Sequence, residues 1–126
     1  MQEAKIIKNI FPCEIAEMVN LKDNSLLTMS DVNVGFCSAS STIRVLENVN
    51  LTIKKGEAFG LVGESGSGKT MTALSMMRLI PPSGKILSGK ILFEGNDLLQ
   101  LTEKQMESIR GKKISMIFQE PMTSLN

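Results

Sequence analysis

From Leu26 to Ile53 apolar and polar residues alternate. Leu27, Met29, Val32, Val34 and Phe36 predict one extended segment, and Val49, Leu51 and Ile53 within 45–53 predict a second. Both read as antiparallel strands. Lys54-Lys55-Gly56-Glu57 predicts a turn, and Ala58-Phe59-Gly60-Leu61-Val62 is a nearly uninterrupted apolar run of the kind a buried parallel strand carries.

The period then changes. In Thr70 to Ile80, Ala73, Leu74, Met77 and Ile80 recur at three- and four-residue steps, which predicts an amphipathic helix ended by Pro81-Pro82. A further extended pair is predicted around Lys85 to Phe93, closing on Glu94-Gly95-Asn96-Asp97. Thr102 and Gln105 have the spacing of a capping box ahead of a short helix carrying Met106 and Ile109, with Gly111 as its stop. Ile114 to Phe118 reads as one more buried strand. A buried strand feeding a helix, then another buried strand, beside antiparallel segments, predicts an α/β core with an antiparallel β flank. Residues 1–25 show only weak helical spacing (Ile6, Ile7, Ile10, then Ile15, Met18, Val19), broken by Pro12, and read as an N-terminal extension. The domain is expected over 26–126.

Composition narrows the chemistry. The 126 residues fit one domain at most, and 14 Lys and Arg against 13 Asp and Glu give no field that favours nucleic acid. The apolar stretches fall far short of the ~20 residues that span a bilayer. No signal-peptide pattern opens the chain, so a cytoplasmic location is the expectation. Cys13 and Cys37 stand alone and read as reduced, structural thiols. With no histidine, the commonest general base and metal ligand is missing, and chemistry must run on backbone amides, lysine, hydroxyls, carboxylates or side-chain amides.

Gly63-Glu64-Ser65-Gly66-Ser67-Gly68-Lys69-Thr70 supplies that chemistry. It spells Gly, four residues, Gly, Lys, Thr, between an apolar strand and a helix, which is the P-loop pattern in its required context. Glycines let the backbone close on an anion, and amides from Gly66 to Met71 can point at phosphate oxygens with the helix N-terminus behind them. Lys69 is placed to neutralise β- and γ-phosphates, and the Thr70 hydroxyl to ligate Mg²⁺. Gly84-Lys85-Ile86-Leu87-Ser88-Gly89-Lys90 also spells Gly, four residues, Gly-Lys, but Ile91 follows and no buried strand precedes. It is rejected as a second nucleotide site and read as two β-segments with a turn.

The loop alone identifies a P-loop nucleotide binder. Its flanks, "AFGLVGESGSGKT" and "LLQLTEKQMESIRGKKISMIFQEPMTSLN", closely resemble the ATP-binding subunits of ABC transporters, most of all the branch serving oligopeptide, dipeptide, glutathione and nickel importers. The resemblance runs from about Leu26 to Asn126. It implies ATP and Mg²⁺ as cofactors and the fold of an ABC nucleotide-binding domain. It implies that Gln119 is the Q-loop glutamine, which reaches Mg²⁺ and the attacking water and couples the site to the membrane subunit. Phe36 lies where the family places an aromatic residue against adenine. Glu64 and Ser65 fill variable loop positions, with the Ser65 hydroxyl able to reach a phosphate. The implied partners are transmembrane permease subunits, a second ATP-binding subunit in a dimer and, indirectly, a solute-binding protein, at the cytoplasmic face of a bacterial membrane.

The departures are of one kind. The signature motif Leu-Ser-Gly-Gly-Gln, an apolar run ending in Asp-Glu and a switch histidine are all absent, so the chain resembles the first half of such a domain, truncated after the Q-loop. The expectation is an ATP-binding subunit of an importer, a transport-coupled ATPase in the complete protein that drives uptake of peptides or similar small solutes, incomplete and without ATPase activity as it stands. The alternative is a short P-loop nucleotide-binding module, or an inactive truncated gene product, that takes no part in transport.

Overall fold

The computed structural model describes the backbone of residues 5–7 and all of residues 24–119. Its largest element is a four-stranded antiparallel sheet in the order β3-β2-β5-β6, built from β2 (Ser25–Cys37), β3 (Thr42–Lys54), β5 (Gly84–Phe93) and β6 (Asn96–Asp97). A separate antiparallel pair joins β1 (Lys5–Ile7) to β4 (Gly60–Val62). Two helices complete the described chain, α1 (Lys69–Met77) and α2 (Glu103–Ile109).

The buried positions of β2 change parity. Leu27 and Met29 are odd, Val32 and Val34 even, and all four are buried. A single alternation cannot place both pairs on one face, so the strand must slip by a residue between them. It does so at Asp31, whose φ is +50°, where the register to both neighbours shifts. Asn48 on β3 (φ +47°) and Gly89 on β5 (φ +99°) adopt the left-handed region alongside it, so irregularities run across three strands in a row. Side chains fill the gaps in the ladder. Asn33 Oδ1 accepts from Asn48 N at 3.0 Å, and Asn33 Nδ2 lies 3.0 Å from Ser88 Oγ. Asn50 Oδ1 accepts from Asp31 N at 2.9 Å. Gly89 is required for its space as well as its φ, since a Cβ there would lie 2.6 Å from Asp31 O and Val32 Cα.

The core sits on one face of this sheet. Met29, Val32, Val34 and Ile91 pack there with Leu98 and Met106, which the turn after β6 and α2 lay across it. The hairpin into β6 is tight, with Phe93 paired to Asn96 and positive φ at both Glu94 (+49°) and Gly95 (+80°), as a type I′ turn demands. The expected capping box is present: Thr102 accepts from Gln105 N at 3.3 Å, and Gln105 Oε1 accepts from Thr102 N at 2.8 Å.

Several expectations need correction. The Gly84–Lys90 stretch is one continuous strand with an irregularity at Gly89, not two segments and a turn. Lys5–Ile7 is extended where helical spacing was expected, and the remaining positions of that pattern lie outside the described residues. Helix α1 stops at Met77, ahead of the prolines, because Arg78 turns left-handed (φ +52°). Leu79 N then donates to Leu74 O (2.9 Å) and Arg78 N to Ser75 O (3.1 Å), the paired bonds of a Schellman motif. Its buried face carries Thr72, Ser75 and Met77 rather than the predicted apolar set alone. The two hydroxyls are buried at no cost in unmade bonds, since Thr72 Oγ1 donates to Gly68 O at 2.8 Å and Ser75 Oγ to Met71 O at 2.6 Å.

The two strands expected to be buried are not. β4 shrinks to three residues, pairs antiparallel with β1, and leaves Val62 49 % exposed. Of Ile114 to Phe118 only Ile114 pairs, in an isolated parallel bridge to Arg110, while Ile117 is 86 % and Phe118 48 % exposed. The physical reason is common to both: an apolar run becomes a buried strand only where neighbours take up its backbone groups and cover its faces, and among the described residues no parallel strand flanks either run.

Candidate functional site

Helix α1 begins without the usual cap. Gly68 is the N-cap, left-handed at φ +90°, no side chain bonds the first amides, and the first turn contains no acidic residue. The first intrahelical bond along the chain runs from Thr72 N to Gly68 O (2.8 Å), so the earlier amides point forward from a helix end that carries partial positive charge.

The loop before it is shaped by two glycines. Ser67 N donates to Glu64 O at 3.2 Å across a turn whose third residue, Gly66, has a φ of +81°, the sign a type II turn requires there. Gly68 sits against β3, where a Cβ would fall 2.6 Å from Leu46 Cδ2. Leu46 is buried in the sheet core, so the sheet fixes the height of the loop above it.

Lys69 folds back over its own loop. Its Nζ donates to Gly63 O and Glu64 O, both at 2.6 Å, and lies 3.0 Å from Ser67 Oγ. The ammonium thus brings its charge to the mouth of the loop while its donors are held by carbonyls that a stronger anionic acceptor can replace.

A cleft of about 440 Å³ opens in front of these groups. Ser65, Gly66, Gly68, Lys69, Thr70 and Met71 form one side, and Val45 and Gln119 complete it. Gln119, fifty residues after Lys69 in sequence, is therefore brought to the same cleft as the loop. Gly63, Glu64 and Ser67 stand behind it as the acceptors of Lys69. Phe36 is not among the lining residues; its cross-strand neighbours are Ile43 and Gly84. Val45 takes a place in the wall that the sequence reading did not assign. Only the packing of β3 against the loop reveals it, because a valine in a strand carries no signal of its own.

The donor set suits a polyphosphate that carries its own cation. Amides at an uncapped helix end, a lysine and a glycine whose missing Cβ leaves room for close backbone packing match phosphate oxygens. No group of three or more Cys, Asp or Glu able to hold a metal occurs among the described residues. A divalent ion here would accordingly take phosphate oxygens and water for most of its shell, with the Thr70 hydroxyl and Gln119 amide as the protein's share.

Behind the cleft, three charged residues tie the helices together. Arg78 Nη1 donates to Leu98 O (3.0 Å) and Leu101 O (2.6 Å), and Arg110 Nε donates to Met77 O (2.8 Å). Glu103 accepts from Arg110 and lies 3.9 Å from Arg78 Nη2. The hydrogen bond from Arg110, and then the positive charges of Arg110 and Arg78, hold the Glu103 carboxyl below the usual range against the opposing pull of desolvation. The sequence offered no sign of this cluster, since its members are distributed over 78–110.

Known proteins give the site a context. The family model described as "ABC transporter" matches residues 46–126. The oligopeptide transport ATP-binding protein OppD of Bacillus subtilis is 49 % identical over 102 residues, 80 % of this chain and 28 % of that protein. The dipeptide transport ATP-binding protein DppD of the same organism is 46 % identical over 102 residues, 80 % of this chain and 30 % of that protein. The chain thus spans about three tenths of the length of these relatives. Among the described residues no helix is long and apolar enough to cross a membrane.

Proposed function

The chain belongs to the ABC transporter family, and from that premise we propose that it carries the phosphate-binding portion of an ATP-binding subunit whose transporter imports peptides or similar small solutes. The observation that carries the reading is the meeting of Gln119 with the uncapped start of α1 in one cleft. The solute class rests on relatives named for oligopeptide and dipeptide transport.

In this reading the amides from Gly66 to Met71 bind phosphate oxygens of ATP. Lys69 exchanges the carbonyls of Gly63 and Glu64 for the β- and γ-phosphates, a trade of neutral acceptors for charged ones. Ser65 contributes a hydroxyl from the rim. Thr70 and Gln119 would hold Mg²⁺ together with the nucleotide, and the ion when bound neutralises charge on the phosphates. Gln119 suits a position between ion and water because its amide offers an acceptor and donors without adding charge. Phe36 is left out of the set, since it does not line the cleft.

The complete subunit would work at the cytoplasmic face of the membrane with permease subunits, a second ATP-binding subunit and, indirectly, a solute-binding protein. The segment proposed to contact the permease, after Gln119, lies outside the described residues. The 126-residue chain contains no Leu-Ser-Gly-Gly-Gln and no histidine, so binding without turnover is expected of it.

Equilibrium titration of the 126-residue chain with ATP, with and without Mg²⁺, tests this. Lys69→Ala should weaken binding by about tenfold or more, the loss of a charge-assisted contact, and Gln119→Ala should abolish the gain that Mg²⁺ confers. Phosphate release should stay at background. Binding indifferent to Lys69→Ala would sink the nucleotide reading, and robust turnover abolished by that substitution would sink the expectation of inactivity.

A further inference from the structure

Arg110 connects two parts of the molecule that the cleft needs in register. Its Nε donates to Met77 O at 2.8 Å and its Nη2 to Arg78 O at 3.3 Å, both carbonyls at the rear of the helix that starts at the phosphate loop. Its Nη1 donates to Glu103 at the start of α2. Its backbone forms the parallel bridge to Ile114, and Gly111 N donates to Ile114 O at 2.8 Å. Lys113 N (2.8 Å) and Ile114 N (3.2 Å) both donate to Ile109 O, and the Ile114 side chain packs on the core. Residues 109–114 are therefore a closed, anchored loop.

Beyond it the chain is held far less. Ser115 to Phe118 form no strand, and Ile117 is 86 % exposed, yet Gln119 reaches the cleft five residues after Ile114. The loop at 109–114 is thus the upstream anchor of Gln119. Helix α1, nine residues long and so roughly 13 Å from end to end, is a stiff bar between the phosphate loop at its front and the Arg110 guanidinium at its rear.

We propose that Arg110, outside the cleft, is a positioning residue that sets the separation between the phosphate loop and Gln119. It does so by clamping the rear of α1 to the loop that launches the glutamine. This rests on the functional reading above. Arginine is needed because one planar fork meets two carbonyls and a carboxylate at once, whereas the single ammonium of lysine cannot span all three. Loss of the fork need not unfold the protein, since Arg78 independently ties the end of α1 to Leu98 and Leu101.

The test is ATP binding to the 126-residue chain in EDTA and in Mg²⁺, for the wild type, Arg110→Lys, Gln119→Ala and the double variant, with thermal midpoints recorded. Arg110→Lys should leave the magnesium-free affinity unchanged and cut the gain from Mg²⁺ by about tenfold, the scale of outer-shell effects on metal sites. The double variant should be no worse than Gln119→Ala, because both act through one group. If Arg110→Lys fails to fold, Glu103→Gln carries the test, with the same selective loss at smaller amplitude. A parallel fall in both affinities with the thermal midpoint, or additive losses, would make Arg110 a fold clamp only and overturn the proposal. Lys69-dependent binding with a gain from Mg²⁺ sensitive to Gln119→Ala, but indifferent to both Arg110→Lys and Glu103→Gln, overturns this assignment alone. Absence of any Lys69-dependent binding overturns it together with the functional reading.

Discussion

The antiparallel sheet and the strand that feeds the phosphate loop were both announced by apolar runs, yet only the sheet carries a buried core. Ile91 and Val32 are 0 % exposed, while Val62, closing one apolar run, and Ile117, within another, are 49 % and 86 % exposed. The difference lies in where the partners come from. β2 pairs with β3 and β5 with β6 across connections of a few residues, so local sequence provides both sides of those two ladders, while the β2–β5 ladder, in which Ile91 faces Met29, closes over the segment between Cys37 and Gly84 with both of its strands among the described residues. A parallel strand depends on segments a crossover away. An apolar run states a demand for burial without supplying the neighbour that meets it.

The largest expected effect tests that contrast directly. Ile91→Ala should cost about 2–5 kcal/mol in urea unfolding, the transfer and cavity terms of a buried aliphatic side chain. Ile117→Ala should stay within about 0.5 kcal/mol, as for a surface change. Comparable losses at the two positions would show that the Ile114–Phe118 run is packed in solution, and the contrast would collapse.

A second pair of substitutions sharpens it through backbone rather than side chain. Gly89→Ala places a Cβ 2.6 Å from Asp31 O and Val32 Cα at a φ of +99°, where the obstacle is main chain in the middle of the sheet. About 1–3 kcal/mol of strain is expected. Gly68→Ala meets Leu46 Cδ2 at the same distance, but this is the far end of a side chain that can rotate. Its cost to stability should be smaller and its cost to ATP binding larger, because the strain falls on the phosphate loop. Urea midpoints and ATP titration of both variants read the two effects, and the opposite ranking in either measurement would contradict the division of labour between sheet and loop.

What was legible in the sequence follows the same boundary. The β2 and β3 alternations, the capping box at Thr102 and the eight-residue loop motif are local, and each appears where its residues predicted. The slip between Met29 and Val32 was not read from the alternation, since the left-handed Asp31 is explained only by Asn48 and Gly89 on neighbouring strands. Residues of the motif and Gln119, both singled out from sequence, line one cleft. Val45 and the Arg78–Glu103–Arg110 cluster were not visible, because their roles come from which elements pack together. Helix α1 was predicted with too apolar a face because Thr72 and Ser75 satisfy their hydroxyls on the preceding turn, an arrangement that lets polar residues occupy buried positions.

The smallest expected effect concerns the seam between the two regions. Glu103 is held below its usual pKa chiefly by the hydrogen bond from Arg110, and Glu94 by the one from Lys113. For a carboxylate lowered in the folded state, the stabilisation is fully present above the unfolded value near ~4.3 and is lost as pH falls through the folded value. Acid should therefore loosen both contacts below about pH 4.3, but with different consequences. Lys113–Glu94 joins the turn after α2 to the β5–β6 hairpin, inside the self-sufficient region. Glu103 with Arg110 and Arg78 joins that region to the helix of the phosphate loop. Glu94→Gln should flatten the acid limb of the urea midpoint only slightly, whereas Glu103→Gln should flatten it and also remove the acid-induced change in hydrogen exchange at the α1 amides. Both contacts are exposed to solvent, so molar salt should shrink each effect. Equal responses of the α1 amides to the two substitutions would mean that the seam does not run through Glu103, and that the phosphate-loop helix is held by the arginine-to-carbonyl bonds and the Gly68–Leu46 contact without it.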